Sequence, residues 1–434
     1  MIPSNGSVRI LALLALSIGA YAPSLTLPFI ADDYHQIPLA RMEAKAGWAP
    51  LLHDQNLRTR ATYMFLSAAL DRCFGFRPIP FYAVSIVLHA LCVLMVYALG
   101  NWPPIGKSVG FWAACVFAVH EQHQEAIMWL AAAYDLIVFL FGMAALLCWI
   151  EWQQTRKWAW YAASLVSILI AAISKETFWV FVVLMVAVAA WEPRRCALIG
   201  LVPFLVISLA YVAFMFTTRV APGARLDDRF AVLGTKWIFV AMNSLWRLVF
   251  PQGLLAIATL LWIRRRADRG RVVFAGLWIL LGLAPHSFLT YMPYLASRHT
   301  YLASGGLALL AGVALARVSK KIPIPTFAAI CMVILTVNVE ILWVKKMSQF
   351  RERAEPTELL KAAAARAAGP IVIDCTPVPE IVVEDALASV GSRAIFRSPR
   401  TDSDPQRFAI EYTDRNGSTV RIDRLLGHKH GAFY

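Results

Sequence analysis

Two adjacent carboxylates, Asp32 and Asp33, stand where the first long apolar run of the chain ends. Carboxylates beside lipid are costly unless they have partners or work. Such a pair can take a proton from an attacking hydroxyl, or hold a divalent cation that neutralises a phosphate leaving group. The plainer alternative is a hydrated helix end, because Asp also makes caps and turns. Arg58 and Arg60 follow in the same segment, and bases next to acids suit an anionic substrate. A second polar cluster reads His120-Glu121-Gln122-His123-Gln124-Glu125. His120 with His123, or His123 with a carboxylate, has metal-binding donors, but His-x-x-His without a third ligand is equally a hydrogen-bonded helix end. Asp135, inside the next apolar run, is expected to face the bundle interior and to pair with an Arg, a His or a backbone group. Lys175 in Ser174-Lys175-Glu176 can meet a phosphate, Glu176 or Asp135. Arg247 and the stretch Ser297-Arg298-His299-Thr300-Tyr301 add further bases. His89, alone in an apolar run, reads as a satisfied core histidine.

The elements that must position these groups are membrane helices. Of 434 residues, 59% are hydrophobic and only 16% charged, against about 25% charged in an ordinary soluble domain. That composition excludes a disordered chain, a coiled coil and a disulfide scaffold, and it leaves more apolar surface than one aqueous core can hide. The apolar runs predict an all-α polytopic membrane protein with about eleven spans. The segment 236–250 is either an interfacial helix or half of a broken span, and a separate span there would raise the count to twelve. A formal charge of +14 on a soluble protein would suggest nucleic acid. Here the bases concentrate in short loops such as Arg264 to Arg271 and Arg317 to Lys321, so no nucleic-acid partner is expected. Those loops, with an N-terminus in the cytoplasm, define the inner face. The other face receives a long first loop, residues 31–78, whose stretch Pro38 to Trp48 is amphipathic enough to lie along a membrane surface.

The predicted organisation is a membrane domain over residues 1–344 and a small soluble α/β appendage over 345–434. With eleven spans the appendage lies on the outer face, and with twelve it turns inward. Most cysteines fall inside apolar runs and read as small hydrophobes; Cys73 and Cys375 alone sit in aqueous segments where a bridge is conceivable. Asn416-Gly417-Ser418 reads as a polar turn between strands rather than as a glycosylation acceptor.

Several stretches, in order and on one face, carry a resemblance. His120-Glu121-Gln122-His123-Gln124-Glu125-Ala126-Ile127-Met128-Trp129, Ser174-Lys175-Glu176, Arg298 to Gly306 and Phe81 to Ala90 resemble motifs of the GT-C superfamily of polyprenyl-phosphate-sugar glycosyltransferases. More narrowly they resemble the membrane region of the transmembrane-and-tetratricopeptide O-mannosyltransferases and their bacterial relatives. There are departures: Glu121 replaces a proline, Tyr134 replaces a base, and no tetratricopeptide array follows. The resemblance implies a GT-C-like bundle and transfer of a sugar from a lipid-linked donor to a glycan, lipid or protein acceptor, with inversion. It implies Asp32 as general base, with Asp33 as helper. Arg58, Arg60, Lys175, Arg247 and Arg298 would bind the donor phosphate, and His120, His123 and Glu125 would line the acceptor or metal side. Asp135, Glu176 and Tyr301 would support them. No cofactor is required; a divalent metal at Asp33, His123 and Glu125 is a candidate addition. The implied location is a bacterial inner membrane with the site facing the periplasm. The rival readings are a secondary transporter, which Asp135 and His89 would favour, and a non-catalytic membrane scaffold. Transport predicts that Asp32, Lys175 and Arg298 scatter across the midplane; transfer predicts that they converge.

Overall fold

The computed structural model describes residues 6–48, 60–192, 197–217, 236–263, 268–286, 289, 293–397 and 406–426. The first half runs α1 (Gly6–Tyr21), α2 (Asp33–Lys45), α3 (Ala61–Phe74), α4 (Pro78–Ala98), α5 (Lys107–Val119), α6 (Gln124–Met128), α7 (Tyr134–Thr155), α8 (Trp158–Ala172) and α9 (Trp179–Trp191). It continues with α10 (Ala197–Gly200), α11 (Val202–Thr217), α12 (Lys236–Val249), α13 (Gln252–Ile263), α14 (Arg269–Leu283), α15 (Ser297–Val318), α16 (Ile324–Glu340), α17 (Met347–Ala364) and α18 (Glu380–Ala388). Local rules set several boundaries. Gly75, at φ +70°, follows the last turn of α3, and Pro78 opens α4 at a position where its missing N–H costs nothing.

Five described helices are long and apolar enough to cross a membrane: Gly6–Thr26, Pro78–Asn101, Leu130–Thr155, Ser297–Val318 and Ile324–Ala364. α12 and α13 qualify together as a sixth, bent by 77°, so residues 236–250 form one arm of a broken pair. The expectation of about eleven spans is not confirmed: among the described residues, length and hydropathy support five or six. Several apolar runs give helices of 10–17 residues, shorter than the roughly 20 residues that a lone span needs.

The central helix is α15, buried along nearly its whole length. Small residues let its neighbours approach. A Cβ at Gly306 would stand 2.6 Å from the Ala275 carbonyl oxygen of α14, and one at Gly312 would stand 2.7 Å from the Val109 carbonyl oxygen of α5. Close backbone approach of this kind replaces the hydrophobic drive that lipid removes.

The C-terminal region forms a four-stranded sheet in the order β2-β1-β3-β4, with β1 at Ile371–Cys375, β2 at Ala394–Phe396, β3 at Arg407–Thr413 and β4 at Thr419–Leu425. β1 pairs in parallel with β2; the other pairs are antiparallel. Asn416-Gly417-Ser418 is the polar β3–β4 turn, closed by Asp414 Oδ1, which accepts from the N–H groups of Asn416 and Ser418. Cys73 and Cys375 are both free, so the conceivable bridge is absent. Residue 345 falls within the continuous helical run Ile324–Ala364. Phe350, Ala354 and Ala386 join the core of the helical bundle.

Candidate active site

Asp32 and Asp33 share a turn and differ in every physical respect. Ala31, just before them, has φ +42°, a left-handed conformation that costs an alanine about 1–2 kcal/mol. The turn sends Asp33 into the protein, fully buried. Its Oδ2 accepts from the Ile30 N–H at 2.9 Å and its Oδ1 from the Ala131 N–H at 2.8 Å. Burial pushes the Asp33 carboxyl up to about 8, although both N–H groups favour the charged form. Asp33 therefore pins the first loop to the segment before α7. Asp32 is half-buried and makes no capping bond at the start of α2. Burial raises its carboxyl above the usual aspartate value, while Arg298, His35 and Arg60 pull in the opposite direction. A partly desolvated carboxylate among cations, not engaged in capping its own helix, suits a general base.

The cations come from separate elements. Arg60, just ahead of α3, lies 4.4 Å from the centre of the Tyr134 ring, and Lys175 Nζ lies 4.9 Å from the same ring. Lys175 also donates to Asp135 Oδ1 at 2.6 Å in a wholly buried pair. Tyr134, standing where the related motif has a base, thus supplies a ring face that gathers two cations. Arg298, in the first turn of α15, places its guanidinium 5.0 Å from the Trp129 ring and donates through its backbone N–H to Glu125 Oε2 at 3.2 Å. Its Nη1 reaches the same oxygen at 3.5 Å. Glu125 Oε1 accepts from Arg353 Nη2 at 2.9 Å. These guanidiniums hold the Glu125 carboxyl down to about 2 against its burial.

Two buried imidazoles, His286 and His299, stack at 4.1 Å between ring centres. Lys175, Arg298 and Arg60 all act on their charge. Among the described residues His299 Nδ1 and Arg60 Nε have no hydrogen-bond partner. Arg60 Nε is a buried donor left unmatched beside a cation cluster, a place suited to an anion, and His299 Nδ1 donates or accepts there according to its tautomer.

Other candidate residues have structural work. His123 Nε2 sits 2.7 Å from Ser304 Oγ, whose own proton goes to the Tyr301 carbonyl oxygen; His123 therefore donates, and its ring packs on Phe117 and Tyr301. His120 accepts the Gln122 N–H at 3.5 Å, and burial pushes its imidazole down to about 4, so it is neutral. Tyr301 Oη lies 2.9 Å from His89 Nδ1, and His89 Nε2 donates to the Ala118 carbonyl oxygen. His89 is thus a satisfied core histidine. Asp135 gives Oδ1 to Lys175, while its Oδ2 has no hydrogen-bond partner among the described residues. Glu176 is half-buried just beyond Lys175.

Three further expectations concern a divalent cation, Arg247 and Arg58. Backbone N–H groups hold Asp33, Ser304 takes Nε2 of His123 and guanidiniums hold Glu125, while His123 Nδ1 has no partner among the described residues. No three His, Cys, Asp or Glu side chains gather as ligands among the described residues. Arg247 packs 4.0 Å from the Tyr294 ring and donates to the Leu295 carbonyl oxygen at 3.5 Å, so its own partners lie in the segment leading to Arg298 rather than among the other candidate bases. Arg58 lies outside the described residues. Sequence reasoning missed His286, His299 as a site residue, and Arg353. The only signal for Arg353 was a charged stretch directly after the last apolar run.

Below Glu121, whose N–H donates to Asn338 Oδ1, an apolar cleft of about 510 Å³ runs between α5, α13, α15 and α16. Gln252, which also donates to Asn338 Oδ1, stands at its polar end.

A carboxylate facing cations at one end of a helical bundle is the geometry to set beside solved structures of similar fold. The archaeal oligosaccharyltransferase AglB from Archaeoglobus fulgidus, in complex with an inhibitory peptide and a dolichol-phosphate, matches with TM-score 0.51 and 12% identity, covering 83% of this chain and 58% of that one. A complex of the A. fulgidus enzyme with Zn and sulfate matches with TM-score 0.51 over 82% of this chain and 55% of that one, again at 12% identity. The likeness at this identity is one of fold. In sequence the chain is similar to a protein O-mannosyl-transferase of Caenorhabditis elegans, 21% identical over 389 residues, which is 77% of this chain and 55% of that protein. It is also similar to human TMTC2, 26% identical over 170 residues, 35% of this chain and 20% of that protein. The chain thus spans about half the length of the first relative and a fifth of the second. No family model matches it. The resemblance to the transmembrane-and-tetratricopeptide O-mannosyltransferases is borne out by the sequence comparison, and the comparison of folds adds a likeness to an oligosaccharyltransferase of the same superfamily.

Proposed function

We propose that this protein is a membrane glycosyltransferase that moves a sugar from a polyprenyl-phosphate donor to an acceptor hydroxyl with inversion. The observation that carries the reading is Asp32: a half-buried carboxylate without a capping bond, facing Arg298 and Arg60 across a cluster that includes Lys175, His286 and His299. Asp32 takes the proton of the acceptor hydroxyl. The freed oxygen forms a bond to the anomeric carbon from the side opposite the phosphate. The bond from that carbon to the phosphate oxygen breaks, and the electron pair leaves with the polyprenyl phosphate. Arg298 and Arg60 neutralise the departing charge, helped by the Lys175–Asp135 pair and the imidazoles. The apolar cleft has the size and lining to take a stretch of prenyl chain. The basic inner loops support a site on the non-cytoplasmic face, and the short loops and small tail suit a bacterial inner membrane. A glycan, a lipid or a protein can each supply the hydroxyl.

The test is transfer by purified protein in lipid nanodiscs, with polyprenyl-phosphate mannose as donor and release of polyprenyl phosphate as the readout. Wild-type turnover with loss in Asp32→Asn supports the reading. Full turnover in Asp32→Asn sinks it. Mass spectrometry of envelope glycans and proteins, with and without the intact protein, then identifies the increment and its acceptor.

A further inference from the structure

Glu125 is gripped from two directions. Its Oε2 faces Arg298 at the start of α15, and its Oε1 faces Arg353 on α17, the C-terminal part of the continuous helical run Ile324–Ala364. All three side chains are largely buried, at 7% exposure for Glu125, 19% for Arg298 and 15% for Arg353. Both guanidiniums lie beside the Trp129 ring, at 5.0 Å and 6.0 Å. Of the two contacts to the carboxylate, that of Arg353 is the shorter, 2.9 Å against 3.5 Å for the Arg298 guanidinium.

The C-terminal region has contacts with the rest of the protein besides Arg353. Phe350 and Ala354, on either side of it, are buried in the bundle core. His35 Nδ1 meets Asp385 Oδ2 at 2.8 Å, and Tyr34 donates to Glu358 Oε1 at 3.2 Å. Ala31, the residue that sets the turn before Asp32, packs on the core of the C-terminal sheet. The region is thus docked on the loop that carries Asp32 by contacts of its own, and Arg353 is left pointing at Glu125.

We propose that Arg353 is a positioning residue of the transfer site: it fixes Glu125, and Glu125 in turn fixes Arg298 beside Asp32, so that the C-terminal region is a working part of the site. The inference rests on the transfer reading above. Arg353 acts through Glu125 and touches no reacting atom. Without it, the buried carboxylate keeps one looser guanidinium, takes up protons more readily, and lets the Arg298 side chain swing on Trp129.

The experiment uses the full-length protein in nanodiscs with polyprenyl-phosphate mannose. Arg353→Gln should lower kcat by about 10- to 100-fold, the scale of one charge-assisted bond, and Arg353→Lys should recover part of it. The double variant Glu125→Gln/Arg353→Gln should be no slower than Glu125→Gln alone, because both changes break one unit. The pH profile of Arg353→Gln should gain an acid limb as Glu125 returns toward the ordinary glutamate range, a change that loose docking does not produce. A second readout needs no turnover: a hydrophobic carbodiimide near pH 6 should label Glu125 several-fold faster in Arg353→Gln than in wild type, since it reacts with protonated carboxyls. Wild-type rate, pH profile and labelling in Arg353→Gln overturn the proposal, and so do additive losses in the double variant. Labelling that responds as expected in a protein that transfers nothing supports the clamp and sinks the transfer reading.

Discussion

Helix α15 carries an arginine at each end, and each arginine grips a carboxylate that a second arginine also grips. At one end Arg317 forms a bidentate pair with Asp268, at 2.6 Å and 2.8 Å, while Arg271 donates to Asp268 at 2.7 Å and to the Pro104 carbonyl oxygen at 2.7 Å. At the other end Arg298 meets Glu125 at 3.5 Å, with Arg353 opposite. The Asp268 end is short, planar and closed. Around the Arg298 end, His299 Nδ1, Arg60 Nε and Arg353 Nε lack partners among the described residues. A saturated network serves structure, because nothing is left for a ligand. An unfinished one beside a half-buried carboxylate serves binding. The composition of the two triads is nearly the same; their satisfaction separates them.

That contrast breaks most sharply at Asp32. Asp32→Asn should cut transfer by about 10²- to 10⁴-fold, the range of a lost general base, with the fold intact by circular dichroism. Because burial raises the Asp32 carboxyl, the active, deprotonated form is lost as pH falls. The acid limb of kcat should therefore lie above the ordinary aspartate range. A limb at or below that range would count against Asp32 as base. Arg298→Gln comes next, with a loss of about 10²-fold from one missing charge-stabilising donor, whereas Arg317→Gln should keep transfer within about twofold per folded molecule. Equal losses in the two variants would erase the distinction between the ends. His299→Gln should cost about tenfold, the weight of a single hydrogen bond to the departing phosphate. The smallest effect on turnover and the clearest one on stability belong to Asp268→Asn. Its arginines are partly exposed, so about 1–3 kcal/mol of stability should go, read as a lower Tm in nanodiscs. Asp268 is held below its usual value in the fold, so its contribution is present above the ordinary aspartate range and fades as pH drops through and below it.

The two adjacent aspartates show how far sequence reaches. Residue type marked both, and the cost of a carboxylate beside lipid made both conspicuous. Which one is spent on backbone N–H groups and which is left for chemistry depends on a left-handed turn at Ala31 that no pattern announced. His123 illustrates the same limit: its spacing from His120 suggested a metal, but packing gave its Nε2 to Ser304. The span count is unconfirmed for a different reason. Hydropathy sees apolar length and not the bend between α12 and α13, nor helices that lean on neighbours instead of crossing alone.

Composition and the basic loops by themselves determined a polytopic membrane protein, and the ordered motifs determined its resemblance, because lipid solvation and motif chemistry act through residue type and local spacing. Only the tertiary structure decided that Arg60, Lys175, Arg298, His286 and His299 act on one place and that Arg353 reaches Glu125 from 228 residues away along the chain. Charge, burial and hydrogen-bond satisfaction are properties of neighbours in space, and those neighbours come from helices whose order along the chain does not encode where their ends meet.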